Sequence, residues 1–404
     1  MRKPGKKGIA LFFASAGWFL LLSTRLTLST LLVDIEETLG IGHDLAGMAL
    51  TVMWFSYAIM QFPSGVWSDI KGRKKTIFFS LVTFGLAFLF LGLSNYFFLF
   101  FIFIIFLGIG TGFFMTASIS MLSDLFKNNR GRAFGIQASS GSLTGIVPIV
   151  IPLLATRFHW RSIFVGFALI TLVVAFLFRK TASESTSLPP EVSFRERFQD
   201  GATVLKQKTT QLFFTVNLIL VFSWIGTTSF FPTYMIESKG LTHLQAGIGF
   251  SLLSLGGIVI KPLVGILSDR YNKRVIITIL LFLTAIGLIA LVEVGSFVAI
   301  CAAALFISLG TSVFLVANSY LMNFWNVKGR GGKLGFYRSL TILIGSPTSA
   351  VIGYLATKYG FDISFLVLGI LLMVAAVVML SSTFVCSNPE GKPVCSERES
   401  PGQF

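Results

Sequence analysis

The chain is poor in charge, cysteine and histidine. Of its 404 residues only 12% are charged, and it has three cysteines and three histidines. Soluble domains carry about 25% charged residues, so the composition argues against a soluble enzyme. It also excludes a disordered chain, which would combine low hydrophobicity with high charge. Cys301, Cys386 and Cys395 are too few and too scattered for a disulfide framework or a metal site. We therefore expect no metal and no cofactor.

Apolar residues dominate what remains. They make up 54% of the chain, with 43 phenylalanines and 39 glycines, a mixture suited to helices that pack closely in lipid. A spanning helix needs about 20 mostly apolar residues, and windows of that size predict an all-α membrane protein with twelve transmembrane helices. The predicted spans lie near 9–33, 46–66, 76–94, 96–122, 133–155, 161–179, 212–236, 244–266, 275–294, 297–323, 334–357 and 361–385.

The spans fall into two groups of six. We predict an N-terminal six-helix bundle (1–179), a cytoplasmic linker (180–211), a C-terminal six-helix bundle (212–385) and a cytoplasmic tail (386–404). The linker is the one long polar interior segment, and its Pro189-Pro190 pair is typical of a loop. Its second part is predicted to form a short amphipathic helix on the membrane surface.

The basic residues predict the orientation. Most of the 32 lysines and arginines fall on the side of the two termini, whereas Arg157, Arg161, Lys239 and Lys358 fall on the opposite side. Because loops rich in Lys and Arg stay in the cytoplasm, we expect both termini to be cytoplasmic and the protein to be multi-pass in the plasma membrane. Topology thus explains the net charge of +15 without a nucleic-acid partner.

The two halves share an internal repeat at an offset of 200 residues. Residues 40–69 align without gaps to residues 240–269. The identical positions are Gly40, His43, Ala46, Gly47, Gly65, Ser68 and Asp69, which recur as Gly240, His243, Ala246, Gly247, Gly265, Ser268 and Asp269. Parallel repeats of this kind are a transporter architecture, in which two bundles rock about a site at their interface.

Three segments carry a family resemblance. Residues 65–75 (GVWSDIKGRKK) resemble the loop-2/3 signature of the major facilitator superfamily (MFS), and residues 265–274 resemble its second copy. Residues 130–136 (RGRAFGI) resemble the loop-4/5 sequence of the family. The resemblance implies the MFS fold and a secondary transporter that works by alternating access, not an enzyme.

The repeated motif also predicts a gate. The resemblance implies that acidic groups bind nearby cations in one conformation and release them in another. The residues concerned are Asp69, Arg73, Asp124, Arg132, Asp269 and Arg274, with Gly65 and Gly265 allowing two helices to touch. The alternative is that these are ordinary solvated loop charges.

Two cations lie deep in predicted spans. Arg25 is nine residues from Asp34, about 14 Å along a helix, and Lys261 is eight residues from Asp269, about 12 Å. Such residues normally face a cavity and have a partner, yet no carboxylate lies at matching depth. An anionic substrate held by one cation from each half would supply the missing charge. The alternative is that Arg25 binds helix-end carbonyls or water and that Lys261 snorkels.

The resemblance favours the anion. Arg25 is similar in position to the first-helix arginine of organophosphate and organic-anion transporters, and residues 260–265 resemble a helix-8 stretch of monocarboxylate transporters, with Lys261 replacing arginine. Polar or aromatic residues at helical spacing complete the predicted binding site: Trp54, Tyr57, Gln61, Gln137, Ser140, Trp224 and Asn318.

Two other function classes are alternatives to anion transport. Proton-coupled efflux of drugs or other small hydrophobic solutes is the main rival. The antiporters of the family tend to carry a Gly-Pro pair in the fifth helix, and the segment here, which contains Gly141, Gly145 and Pro148, lacks it. Proton symport would need Asp34 or a similar group to titrate. An enzyme is disfavoured because the histidines lie near external loops without ligand spacing, and a receptor because it would carry a larger soluble domain than this linker and tail. We predict a monomeric transporter of a small organic anion, with the lipid bilayer as its other partner.

Overall fold

The computed structural model describes residues 6–127, 129–182, 194–325 and 330–385. The predicted tail, 386–404, and part of the predicted linker, 183–193, lie outside the described residues. Seventeen α-helices and two short 3₁₀ turns account for nearly all of that part of the chain, which contains no strand. The helices are α1 (Lys6–Thr30), α2 (Leu32–Leu39), α3 (His43–Lys71), α4 (Arg73–Leu93), α5 (Phe97–Leu125), α6 (Arg130–Ser142), α7 (Val147–Ala155), α8 (Trp160–Thr181), α9 (Phe194–Thr203), α10 (Lys208–Glu237), α11 (His243–Arg270), α12 (Lys273–Glu293), α13 (Phe297–Ser308), α14 (Gly310–Phe324), α15 (Arg330–Gly345), α16 (Thr348–Tyr359) and α17 (Phe361–Val385).

Twelve segments within the described residues are long and apolar enough to cross a membrane. This confirms the predicted all-α membrane fold and the number of spans. Three spans are interrupted, which the sequence windows did not predict: α6 and α7 join through a 3₁₀ turn at Leu143–Ile146, α13 and α14 join at Leu309, and α15 and α16 join before Pro347. Proline lacks the backbone N–H that would continue the helical ladder, which accounts for the break at Pro347.

The first predicted span also ends earlier than its apolar run suggests. Helix α1 stops at Thr30, and the short α2 carries Asp34 and Glu36 at the membrane edge. Gly40, with φ of 62°, then ends α2 and turns the chain into α3. This left-handed conformation is one that glycine adopts without steric cost, and Gly240 repeats it with φ of 64° in the second half.

The two halves meet along matched helix pairs, α3 with α15 and α16, and α7 with α11. We call the face of the membrane where α1 begins the termini side and the opposite face the far side. Glycines bring the backbones together near the far side, where a Cβ atom on Gly47 or Gly247 would overlap the carbonyl oxygen of Ser349 or Pro148. The Thr51 hydroxyl adds a hydrogen bond, 2.8 Å from the Ala350 amide that donates to it. The far side is therefore closed in this conformation.

The described end of the predicted linker forms the helix α9. The Phe198 ring packs against Phe62 of α3 and Phe336 of α15, with ring centroids 6.0 and 5.0 Å apart. The Asp200 carboxylate lies 3.4 Å from the Lys333 ammonium. The amphipathic helix predicted for this segment therefore contacts both halves on the termini side.

Candidate functional site

A cavity of about 550 Å³ lies between the two halves, on the termini side of the glycine contacts. Helices of both halves line it. The termini-side parts of α5 and α6 contribute Ile119 and Phe134, and α10, α11 and α14 contribute Trp224, Lys261 and Thr311. Small-molecule sites are concave and mostly apolar with a few polar groups, a description that this cavity fits.

Arg25 reaches the cavity from the middle of α1. Its guanidinium carbon lies 4.3 Å from the centroid of the Trp54 ring and 4.0 Å from that of the Tyr57 ring, both on α3. The two rings pack edge to face, with their centroids 5.9 Å apart. Contacts of a cation with aromatic faces stabilise it by about 0.5–2 kcal/mol, and they hold the guanidinium plane in place without neutralising its charge.

One edge of this guanidinium has no acceptor. The Nε and Nη2 atoms of Arg25 are buried and have no hydrogen-bond partner among the described residues. These two nitrogens point their N–H groups in the same direction, which is the geometry that binds a carboxylate or phosphate through two parallel hydrogen bonds. A buried neutral polar group without a partner costs about 1–3 kcal/mol, and a buried charged donor without a partner costs more.

Lys261 lines the same cavity from α11, directly before Pro262. Its side chain lies beside Gly257 and Thr311, because a Cβ atom built on Gly257 would be 3.1 Å from both the Lys261 Cε and the Thr311 Oγ1. None of the side chains that line the cavity, in the part of the chain that the structure describes, is acidic. The cavity is therefore electropositive.

The other predicted binding residues divide into two groups. Trp54, Gln137 and Trp224 line the cavity, and Tyr57 contacts it through Arg25. Gln61, Ser140 and Asn318 are not among the lining residues. The Gln61 Oε1 accepts a hydrogen bond at 3.3 Å from the Ser339 hydroxyl in the opposite half, so this side chain links α3 to α15. The Ser140 hydroxyl donates at 2.9 Å to the carbonyl of Ser15 on α1.

The first copy of the predicted gate forms a compact ion-pair cluster. The Arg73 guanidinium contacts the carboxylate of Asp124 and the carbonyl of Ser120, and lies 3.7 Å from the Asp69 Oδ1. These residues belong to α3, α4 and α5, all in the N-terminal half. Arg132, which the motif also suggested, is exposed on α6. The cluster thus joins three helices of one half.

The second copy is arranged differently. Arg274 donates to the Tyr320 hydroxyl at 3.1 Å and to the Ser382 carbonyl at 3.2 Å, whereas Asp269 is exposed. A Cβ atom on Gly65 would lie 3.2 Å from Thr116, but one on Gly265 would meet no heavy atom of the described chain within 4 Å. In this conformation a neighbouring helix therefore lies close to Gly65 and none of the described chain lies close to Gly265, where the flank of α11 is exposed.

Asp34, the predicted proton group, lies on α2 at the far side. Its Oδ2 atom is 3.9 Å from the Nδ1 of His243 in the opposite half. Burial raises the pKa of the Asp34 carboxyl, and the nearby His243 opposes that rise. A carboxyl in this setting holds a proton at a higher pH than an exposed aspartate does.

Sequence reasoning missed a second far-side cluster. The His43 Nδ1 lies 3.0 Å from Glu36 and its Nε2 lies 3.0 Å from Glu237, which ends α10 in the other half. The signal was present in the repeat, where His43 recurs as His243. A single sequence does not reveal that the loop after α1 and the end of α10 meet at the same histidine.

Comparisons with known proteins agree with this architecture. The family model described as Major Facilitator Superfamily matches residues 8–292 and 213–401. Similar curated proteins include a hexuronate transporter of Bacillus subtilis, 27% identical with 100% of each chain covered, and a probable sulfoacetate transporter of Cupriavidus necator, 25% identical with 90% of each covered. A similar solved structure is a bacterial homologue of the human lysosomal transporter Spinster, inward-facing and unoccupied. Its TM-score is 0.80 at 16% identity, with 95% of this chain and 98% of that chain covered.

Proposed function

This chain belongs to the Major Facilitator Superfamily, and we propose that it carries a small organic anion across the membrane by alternating access. It is a multi-pass membrane transporter of a small molecule, not an enzyme. In the proposal Arg25 and Lys261 hold the anion, one from each half. Trp54, Tyr57, Gln137 and Trp224 shape the site around it.

The observation that carries the proposal is the unpaired edge of Arg25. A cation in a membrane span costs at least about 2.5–3.5 kcal/mol on insertion scales, and here two cations share one cavity that no acidic side chain lines among the described residues. An anion with two oxygens would accept both free N–H groups of Arg25. Lys261 would contribute a point charge, since an ammonium has no fork.

The cavity also suggests the kind of anion. Aromatic rings of Trp18, Trp54 and Trp224 line it together with hydroxyl groups of the α1, α6, α10, α11 and α14 helices. A compact, hydroxylated carboxylate would use both surfaces. Its apolar face would pack on the aromatic rings, and its hydroxyl groups would hydrogen-bond to the hydroxyl groups of the protein. The names of the two curated relatives, a hexuronate and a sulfoacetate transporter, describe small organic anions, which supports this class for the present chain.

The contacts between the two halves support alternating access. The glycine contacts lie on the far side and the cavity on the termini side, as expected of one of the two states that a rocking pair of bundles adopts. We propose that the termini are cytoplasmic in the plasma membrane, because most basic residues lie on the termini side. The conformation described would then be open to the cytoplasm.

Uptake by reconstituted protein tests the proposal. Purified protein in proteoliposomes is given a panel of labelled sugar acids, sulfonates and organophosphates, with the neutral sugars as references. We expect uptake of at least one anion, and a loss of about tenfold or more in Arg25→Gln and in Lys261→Gln, since a hydrogen bond to a charged group contributes about 1.5–3 kcal/mol.

Arg338→Gln is the matched control, because Arg338 is an exposed cation of the C-terminal half that does not line the cavity. We expect it to retain uptake. Retention of anion uptake in both cavity variants would overturn the proposal. Uptake of neutral hydrophobic solutes with no response to anions would favour drug efflux instead.

A further inference from the structure

His43 joins the two halves through both of its ring nitrogens. Its Nδ1 faces Glu36 of the N-terminal half at 3.0 Å and its Nε2 faces Glu237 of the C-terminal half at 3.0 Å. Glu36 is 7% exposed and His43 21%, so the contact with Glu36 is largely shielded from solvent. The cluster needs both halves, because His43 and Glu36 belong to the N-terminal half and Glu237 to the C-terminal half.

The protonation state of this cluster follows from its hydrogen bonds. A neutral imidazole has one N–H donor and one lone pair, whereas an ionised carboxylate only accepts. Two ionised carboxylates at hydrogen-bond distance from both nitrogens therefore require the doubly protonated imidazolium. If one carboxyl were protonated instead, the cluster would still hold one proton more than a neutral histidine and two carboxylates.

We propose that closing the far side of this transporter creates a proton-binding site at His43, so that acid on the far side stabilises the closed state. The proposal rests on the alternating-access part of the proposed function, not on the identity of the substrate. It assigns His43, Glu36 and Glu237 the role of a proton-dependent gate between the halves.

The surroundings of His43 favour this added proton. The rings of Phe361 and Phe230 lie 4.8 and 6.5 Å from the imidazole and limit its access to water. Burial also raises the pKa of the Glu36 carboxyl, with the hydrogen bond from His43 opposing that rise. The charged or titratable groups around it include Glu36 on α2, Asp44 on α3, Tyr234 and Glu237 on α10, Lys239 in the following loop, and Asp362 on α17. Helix α16, whose Gly353 lies against the His43 carbonyl, carries Lys358, and the Lys358 ammonium lies over the rings of Tyr354 and Tyr359.

Those groups leave the local balance acidic. The Lys239 ammonium is 3.6 Å from the Asp362 carboxylate, which also accepts a hydrogen bond at 2.5 Å from the Tyr234 hydroxyl. Lys239 is thus already engaged with an acid of its own. Among the residues that the structure describes, His43 is the basic side chain within ion-pair distance of Glu36 and Glu237.

The sign of the effect follows from linkage. The imidazolium gains Glu237 as a partner on closure, so protonated His43 is more stable in the closed than in the open state, and closure takes up a proton. The equilibrium between the two states then shifts toward closed as pH falls, by at most about tenfold per pH unit for one proton. Above the pH at which the closed cluster loses its proton, the closed state no longer gains from this contact.

A divalent cation is the competing occupant. The donor atoms of the three side chains lie within 4.8 Å of one another. Each ring nitrogen, however, already lies at hydrogen-bond distance from its own carboxylate oxygen. An ion would bind one nitrogen at about 2.0–2.1 Å and break one of these contacts, so a proton fits the observed distances better.

Spin labels on the far-side loops test the proposal without substrate. Asn95 and Gly295 occupy matching exposed loops of the two halves, and Asn95→Cys and Gly295→Cys carry the labels in a full-length chain whose native cysteines are replaced by serine. The distance between labels is measured from pH 5 to pH 9 with EDTA present. We expect the short-distance, closed population to grow as pH falls, and His43→Gln to remove most of that response.

His159→Gln is the control, because His159 is a far-side histidine that caps α8 and is not one of the three side chains of the His43 cluster. Its pH response should match that of the parent. Glu237→Gln should weaken the response, since it removes the partner supplied by the other half. The proposal would be overturned if His43→Gln left the pH response unchanged, or if Asp34→Asn removed the response and His43→Gln did not. It would also be overturned if, in samples without EDTA, the distance followed added Zn²⁺ and not pH.

This readout separates the gate from the proposed substrate. If Arg25→Gln abolishes anion uptake and the labels ignore pH, the transport proposal stands and the gate is wrong. If the labels respond to pH through His43 and no anion is transported, the gate stands and the anion proposal is wrong.

Discussion

Arg25 carries its charge into the membrane between two aromatic rings and leaves one edge of its guanidinium free. The sequence alone indicates the depth of this residue, because its distance from Asp34 follows from the helical rise. It also singles out Trp54 and Tyr57, which share a face of α3. The stacking itself could not be predicted, since nothing in a single sequence fixes the distance between side chains on α1 and α3.

The same limit applies to the gate residues. The repeat gives Asp69 and Asp269 the same sequence surroundings, yet Asp69 lies near Arg73 while Asp269 is exposed. The difference depends on neighbouring helices, since Arg274 finds the Tyr320 hydroxyl and the Ser382 carbonyl within reach. Equal motifs therefore predict equal positions but not equal partners.

Replacing Arg73 tests the N-terminal cluster. Arg73→Gln removes contacts to Asp124, Asp69 and the Ser120 carbonyl, and hydrogen bonds to charged groups contribute about 1.5–3 kcal/mol. We expect a lower melting temperature of the purified protein, measured by intrinsic fluorescence. Lys75→Gln, at an exposed position of the same helix, should melt like the parent. Equal melting of the two variants would show that the cluster does not stabilise this half.

Helices meet across the two halves where glycine replaces a side chain. The repeat indicates Gly47 and Gly247 as equivalent positions, and in the structure both lie against a backbone carbonyl of the opposite half. The interruptions of α6–α7, α13–α14 and α15–α16 are less evident in the sequence, because apolar windows continue through them. Proline and glycine mark these sites afterwards, but neither residue breaks every helix in which it occurs, as Pro262 inside α11 shows.

A methyl group at Gly247 should disturb the far-side seam. Gly247→Ala would overlap the Pro148 carbonyl oxygen, and overpacking of this kind costs about 1–3 kcal/mol. We expect the labels at positions 95 and 295 to shift toward the longer, far-side-open distance. Gly265→Ala changes the same helix where a Cβ atom meets nothing within 4 Å of the described chain, and it should leave the distances unchanged. A shift of the label distances in both variants would mean that the contact of Gly247 with Pro148 is not the cause.

The overall fold of the chain could largely be predicted from the sequence. Twelve apolar windows, a 200-residue repeat and the motif at residues 65–75 predict the superfamily fold, and the twelve spans and the family match confirm it. The state of the transporter could not be predicted, because alternating access requires two conformations of similar free energy from one sequence. The far-side cluster at His43 is present in the closed state described here. It could not be predicted from the sequence, because the sequence does not indicate which state brings Glu36 and Glu237 to His43.

The cavity between the bundles is proposed to bind an anion through Arg25. Isothermal titration of the purified protein with galacturonate and with neutral galactose tests it, using the parent chain, Arg25→Gln and Arg338→Gln. We expect the parent and Arg338→Gln to bind the acid at least about tenfold more tightly than the sugar, a difference of about 1.4 kcal/mol. We expect Arg25→Gln to lose this preference. Equal affinity for acid and sugar in the parent, or an undiminished preference in Arg25→Gln, would contradict it.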